Sequence, residues 1–468
     1  MADLTENVNK PGDISFDELF ITLSNGENID LLPFFVELNI YEDVWSPFLT
    51  GDIVLNDSIN MIGTGGIAGG EGITIKLRSK TFTDEPQNLI DKTFQVFSIR
   101  DRSLSEDRNQ IYKLSFMSVE GITDQAVAIS KRFKGNTEDI AIEIYNDNIK
   151  EYRRPLDQKG PVTDMIIGDT PHVSKVNFLA NFWTPVQTLQ YLAKYIKGNK
   201  HIGADTIFFE SNKFFYFTSI QQLITAGKEN LFEEYLYTPP GTDIPHRTSG
   251  ETFTGAQTSK EECTIESMTI PRTIDIIDGQ DSGFYSQSVR AYDLYSKERL
   301  EAKIDVRDDF GAFVHTDEGI PVPAGVQRNH MAMQTIKVLN SVNNLTQSFN
   351  LPGSKGGNSD NENIIAASLY RDNYFNSFKD YTFEIDVPGR TDIEIGRMIR
   401  VVYPAPISKT DDLEYDDLFD KQLTGNYLIT AIRHKIDTVA HVMKMEIVKN
   451  GLPETVGDES ADKNKGST

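Results

Sequence analysis

Apolar and polar residues alternate with period two along much of this chain, and two stretches do so in nearly the same way. Phe94-Gln95-Val96-Phe97-Ser98-Ile99-Arg100 leads through a polar turn to Tyr112-Lys113-Leu114-Ser115-Phe116. Tyr427-Leu428-Ile429-Thr430-Ala431-Ile432-Arg433 leads through His434-Lys435-Ile436-Asp437-Thr438 to Met443-Lys444-Met445-Glu446-Ile447. Successive side chains of a strand point to opposite faces, so each stretch predicts a half-buried antiparallel hairpin. Each first strand ends in Ile-Arg, and each hairpin reaches a glycine, Gly121 and Gly451. A duplicated unit and two merely similar hairpins both fit this pattern.

Residues 1–12 are polar and read as a flexible N-terminus. Phe16 to Leu23 predicts a strand, with Asn25-Gly26 as a tight turn. Phe34 to Glu42 and Gly51 to Asp57 predict two more, separated by Trp45-Ser46-Pro47, because proline breaks a ladder. The period then changes. Asp124 to Phe133 and Asn136 to Ile149 predict helices parted by Gly135. Thr184-Pro185 predicts a helix start, with Leu189, Leu192, Ala193 and Ile196 on one face and Gly198 as the stop. Thr206 to Glu210 and Phe214 to Thr218 predict a hairpin about Asn212-Lys213. Alternation returns from Thr264 to Ile277 around Pro271, and from Ser286 to Leu294. Residues 300–362 give no clear pattern, and Gly353 to Asn363 reads as a loop. Asn363 is placed to cap a helix from Ile364 to Phe378, followed by strands at Tyr381–Val387 and Gly396–Tyr403. Asp411 to Asp420 reads as an acidic loop, and the tail after Gly451 as disordered.

A chain of 468 residues predicts two to four domains. Its 38% hydrophobic and 10% aromatic content suffices for packed cores. No run approaches 18 apolar residues, so no membrane-spanning helix is predicted, and Met1 to Glu6 does not resemble a secretory signal. Cys263 is the one cysteine, which excludes an internal disulfide and a cysteine-built zinc site. The formal charge of −24 opposes a general phosphate clamp. Its ordinary meaning is solubility.

Little in the sequence predicts catalysis. Gly63-x-Gly65-x-x-Ala68 formally matches a dinucleotide fingerprint. That fingerprint needs a following helix, whereas Ile73 to Arg78 alternates like a strand, so a flexible connector is the better reading. Acidic pairs such as Asp411-Asp412 read as solvated, since a glycosidase dyad must face itself across a cleft. The histidines, His172, His201, His246, His315, His330, His434 and His441, show no short metal spacing. His434 and His441 flank a hairpin turn, where a cross-turn metal pair or, more ordinarily, two surface histidines would fit. Cys263 in a strand pattern reads as a small buried hydrophobe rather than a nucleophile.

The order of these elements resembles a family. Phe35-Val36-Glu37-Leu38 with Leu55-Asn56-Asp57-Ser58, Trp183-Thr184-Pro185, Thr264-Ile265-Glu266-Ser267 before Pro271, and Val289-Arg290-Ala291-Tyr292 carry the first part. The helix before Tyr381, Gly396-Arg397-Met398-Ile399-Arg400-Val401, and Tyr427-Leu428-Ile429 through His434 carry the rest. Over about residues 14–450 the chain is similar to baseplate hub proteins of contractile-tailed bacteriophages, a family shared with type VI secretion spike proteins.

The resemblance implies an α+β, mainly β fold. Two similar antiparallel β-barrel domains, 13–121 and 259–299 plus 379–450, flank an α+β domain at 122–258. Residues 300–378 form an insertion, and 451–468 a tail. It implies a homotrimer whose six barrels make a pseudo-sixfold ring, adapting a hexameric tail tube to a trimeric central spike. Its partners would be that spike, the tube, the baseplate wedges and passing DNA that is not bound. The place would be the virion tail baseplate, assembled in the host bacterial cytoplasm. No catalytic residue, metal or cofactor is implied. A cell-wall carbohydrate-cleaving tail enzyme and a host glycan-binding adhesin are the rival expectations.

Overall fold

The computed structural model describes residues 11–64, 66–80, 89–104, 109–150, 164–168, 175–195, 204–237, 262–271, 273–293, 297, 299–323, 326, 334–339, 360–405 and 419–453. The chain begins with β1 (Ile14–Thr22), β2 (Asn28–Asp30), β3 (Phe35–Asp43), β4 (Thr50–Asp57), β5 (Gly72–Ser79), β6 (Leu89–Leu104) and β7 (Gln110–Ser118). A middle part holds β8 (Ile129–Asn136), β9 (Met165–Ile167), β10 (Lys175–Trp183), β11 (Thr206–Glu210), β12 (Phe215–Ser219) and β13 (Glu234–Tyr237). It also holds helices at Val119–Ala126, Thr137–Tyr145, Pro185–Tyr195 and Ile220–Glu229. Then come β14 (Thr264–Ile265), β15 (Ser267–Thr269), β16 (Ser286–Asp293), β17 (Arg299–Asp305), β18 (Gln334–Leu339) and the helix Asp360–Asn376. The chain closes with β19 (Tyr381–Pro388), β20 (Met398–Val402), β21 (Gly425–Asp437) and β22 (His441–Lys449).

The fold is mainly β, built on one mixed sheet of fourteen strands. The first half runs β2-β1-β5-β6-β7-β4-β3 and the second β14-β13-β20-β21-β22-β19-β15. They meet where β3 pairs antiparallel with β21, from Glu37↔Asp437 to Asp43↔Ala431. Of the expected two similar antiparallel β-barrel domains the coarser part holds, a mainly β fold, and the two halves share one mixed sheet in which no closed barrel forms among the described residues. The first half keeps β2 and β3 at opposite ends of its path. In the second, residues 264–269 pair with β13 on one side and β19 on the other.

The two halves follow one strand plan. Arg100 lies opposite Lys113, and Arg433 opposite Lys444. The register slips between Val96 and Ser98 in β6 and between Ile429 and Ala431 in β21, the same place once Arg100 is laid on Arg433. A bulge is a specific backbone device, so coincident bulges carry more weight than coincident hydrophobicity. The approaches to β5 and β20 match as well. Gly70 N–H donates to the Val96 carbonyl (2.7 Å), and Val96 N–H to that of Glu71 (2.9 Å). Gly396 N–H donates to the Ile429 carbonyl (2.8 Å), and Ile429 N–H to that of Arg397 (2.9 Å). Gly70 has φ +101° and Gly396 φ +81°, a region costly for a residue with a Cβ. The slip between Phe35 and Glu37 in β3 corresponds to the break at Glu266 between β14 and β15. The order β5-β6-β7-β4-β3 thus recurs as β20-β21-β22-β19-β15.

A short turn links β3 to β4, whereas residues 270–380 separate β15 from β19. Within that stretch β16 pairs with β17 and β18 in a sheet of its own, covered by the helix Asp360–Asn376. The expected Ser286–Leu294 strand is thus present, but its partners are these two strands.

Three local expectations change. Residues 129–136 form β8 rather than continuing a helix, because Phe133 stacks on Phe178 of the antiparallel neighbour β10. The segment after Pro271 turns into a helix at Ile276–Asp281, capped by the Asp275 carboxylate. Asn363 lies inside its helix instead of capping it. Thr184, by contrast, caps as expected, accepting from Gln187 N–H while the Gln187 side chain accepts from Thr184 N–H. Leu189, Leu192 and Ala193 are buried below it. Ile196, Gly198, residues 1–10, 353–359, 411–418 and 454–468 lie outside the described residues.

Gly396→Ala and Gly70→Ala are each expected to cost about 1–2 kcal/mol in denaturant unfolding, since each forces a side chain into the left-handed region. A new Cβ at either position meets nothing closer than 3.4 Å, so backbone strain alone sets the loss.

Candidate functional site: the seam between the halves

Every β3–β21 backbone pair brings side chains of the two halves together, and several are polar and buried. Asp52 of β4 is the hub of the first group. It accepts from Asn39 Nδ2 (3.0 Å) and Tyr41 OH (3.1 Å), and pairs with Lys113 Nζ (3.1 Å). Burial and the Asp52 carboxylate push the Tyr41 phenol up. Arg433 of β21 donates to Asn39 Oδ1 (3.0 Å), carrying the network across the seam. The Arg433–Glu37 and Lys435–Glu37 contacts, 3.9 and 3.7 Å and more open to water, add little.

A second group lies deeper. Glu42 Oε2 accepts from Asn212 N–H (3.1 Å), and Glu42 Oε1 lies 3.3 Å from His434 Nε2. His434 Nδ1 lies 3.1 Å from His441 Nε2. The carboxylate acts only as an acceptor, so His434 donates from Nε2. Which of His434 Nδ1 and His441 Nε2 donates in their shared contact follows from the tautomers of the pair. Burial, then His434, holds the His441 pKa well below the usual histidine value, keeping it neutral. The pair is not on the surface, as the ordinary reading of the sequence had it: both residues are about 1% exposed. Their facing nitrogens are engaged with each other, and no cluster of three or more metal-capable side chains occurs among the described residues.

The middle part locks into this seam through the turn between β11 and β12. Glu210 Oε1 pairs with Lys92 Nζ of β6 (2.7 Å), and Glu210 Oε2 accepts from Leu49 N–H (3.0 Å). Lys92 also donates to the Ser211 carbonyl (2.8 Å). Ser211 Oγ donates to Glu394 of the second half (3.1 Å), which also pairs with Lys213 (3.1 Å). One four-residue turn therefore holds both halves.

The other sequence candidates are placed as follows. The glycine-rich stretch leads into strand β5, not a helix, and Gly65 lies outside the described residues. Cys263 is half-buried, and burial followed by Glu233, 2.8 Å away, raises its thiol pKa, which suppresses the thiolate. His315 is buried against the Phe310 ring and pushed down to about 4 by burial. His172, His201, His246 and His330 lie outside the described residues, as does Asp411-Asp412. Arg390, fully buried between Glu233 and Asp392, had no sequence signal.

Lys92→Met should cost roughly 3–5 kcal/mol by urea unfolding, because it strands the Glu210 carboxylate, and adding Glu210→Gln should recover part of that loss. His441 also predicts a pH dependence. Its native pKa is depressed, so its contribution is complete above about pH 6.5, the unfolded value. Below that the unfolded chain takes up a proton that the native chain refuses, and stability falls. His441→Gln should flatten the fall in unfolding free energy between about pH 6.5 and 5.

No protein-family model matches the sequence, and no curated protein matches it. Solved structures do. The tail protein from Neisseria meningitidis MC58 matches with a TM-score of 0.52 and 11% identity over 94% of this chain and 99% of that one. The 43 kDa tail protein of prophage MuSo2 from Shewanella oneidensis matches at 0.49 and 11%, over 93% and 99%. A type VI secretion component from E. coli matches at 0.40 and 8%, over 93% and 76%. The proteins that this chain resembles in structure are thus phage tail proteins and type VI secretion components, the group to which the order of its sequence elements pointed, and it shares its fold with the Neisseria protein over 94% of this chain.

Proposed function

We propose that this protein is a non-enzymatic structural component of a contractile phage tail, a baseplate hub whose two halves are equivalent wall segments of a ring. The observation that carries this reading is the repeated strand plan, joined edge to edge by β3 and β21. Two equivalent units on one chain let threefold assembly imitate sixfold symmetry. Such a ring matches a hexameric tube on one face and a trimeric spike on the other. The walls are then 13–121 and a second unit drawn from 264–269 and 381–449, each curved toward a barrel. Residues 270–380 are an insertion at the turn between the third and fourth strands, and the middle part braces the outside.

The side chains of the seam support a mechanical role. Asp52, Glu42 and Glu210 are all occupied as hydrogen-bond acceptors, which suits holding geometry rather than moving protons. Three chains carry a formal −72, three times −24. A bore sharing that sign lets DNA slide without adhering.

Light scattering should give about 158 kDa, three times 52.7 kDa, for the purified chain, or that mass plus the spike's own for its complex with a spike protein. A monomer that releases sugar from peptidoglycan would instead support a tail enzyme. Glycan binding without a spike partner would support an adhesin.

A further inference from the structure

The repeat implies a place for a second copy of this chain, an inference that rests on the ring reading above. In the second half, the part of β21 beyond its bulge is covered by β3. The matching part of β6, Ser98–Leu104, pairs with β7 on one side only, since β5 stops opposite Gln95. Its other edge has no strand among the described residues. Exposure at matched positions follows this difference. Thr430 is fully buried, whereas Phe97, in its place, is 47% exposed; Ile432 is 1% exposed and its counterpart Ile99 is half-buried, and at the end of β6 Leu104 is 73% exposed.

The complementary edge can be found by the same matching. β3 corresponds to residues 265–270, with Leu38-Asn39-Ile40 matched by Met268-Thr269-Ile270. β3 has strands on both sides, β4 and β21. β15 has β19 alone, and Ser267 and Thr269 are exposed. Each half thus offers one of the two edges that the seam uses, and among the described residues one of each kind is left without a partner strand.

We propose that Ser98–Leu104 of one copy pairs antiparallel with the 266–270 edge of the next, as β21 pairs with β3 within the chain. The occupant is a second copy because the unpaired edges are the two sides of one junction already built inside the molecule. The contact is head-to-tail, so its repetition closes a ring when the rotation between units divides a full turn. Closure also removes two strand edges that would otherwise recruit other chains. The apolar Phe97 and Leu104 are buried in the process.

The test places a photoreactive benzoylphenylalanine at Phe97 or Leu104 of the full chain, with Val439 at a hairpin tip (70% exposed) as control. A mixture of isotopically light and heavy chains distinguishes links between copies. The expected result is an inter-copy link from Phe97 or Leu104, and none from Val439, to residues 264–271. Phe97→Lys should weaken self-association about tenfold or more while leaving the unfolding temperature of the monomer unchanged, and Val439→Lys should do neither. Oligomers whose links land elsewhere would overturn this edge assignment and leave the ring reading standing. A chain that neither associates nor links at any concentration, alone or with a spike protein, would overturn both.

Discussion

An exposed strand edge must find hydrogen-bond partners, and the architecture follows from how this chain meets that demand. β3 and β21 are distant in sequence, yet each supplies the edge that the other needs. Their pairing fuses two sets of strands into one sheet and fixes the angle between them. A flexible linker would have left that angle free. Backbone pairing sets it to within a register step, and a one-residue slip would turn every buried side chain outward.

The polar groups at this junction add specificity more than stability. Lys92 and Glu210 lie in a site where desolvation consumes much of their attraction, and a hydrophobic pair of the same volume would do as well energetically. What such a pair supplies is direction. Glu210, Ser211 and Asn212 meet Lys92, Glu394 and Glu42 in one arrangement only, so the middle part cannot rotate against the sheet without stranding a charge. Glu42 joins this network to His434 and His441, whose buried contacts tie the last hairpin to β3.

Much of the fold was legible in the sequence because strands with one wet face keep their period. β3, β4, β6, β7, β21 and β22 announce themselves by alternation, and Thr184-Pro185 announces its helix by cap chemistry. The matched hairpins were visible as Ile-Arg endings, and the bulges that make the match persuasive were not, since a bulge leaves no residue signature at Phe97 or Thr430. β8 was misread because Gly135 reads as the stop of a helix from Asp124 to Phe133, and only its partner β10 decides the matter. The histidine pair was visible as two residues flanking a turn. Its burial depends on β3 and on Gly389, whose lack of a side chain leaves room for the His441 ring. Arg390 could not be foreseen, because its partners Glu233 and Asp392 come from separate parts of the chain.

The bulge in β21 explains how one strand serves two neighbours. Up to Ile429 the strand pairs with β20, and beyond Ala431 it pairs with β3. The extra residue at Thr430 bends and twists the strand between these duties, and the Thr430 carbonyl still accepts from Val44 N–H at 2.9 Å. A half built on such a strand has a strand longer than its own partners need. Its first part completes the unit and its second reaches past it, so adjacency between units is written into one strand rather than added by surface chemistry. β6 has the same first bulge, and its overhang adds a second register shift between Arg100 and Ser103 that β21 lacks. The edge that β21 gives to β3 thus has a counterpart in β6 that no strand among the described residues covers.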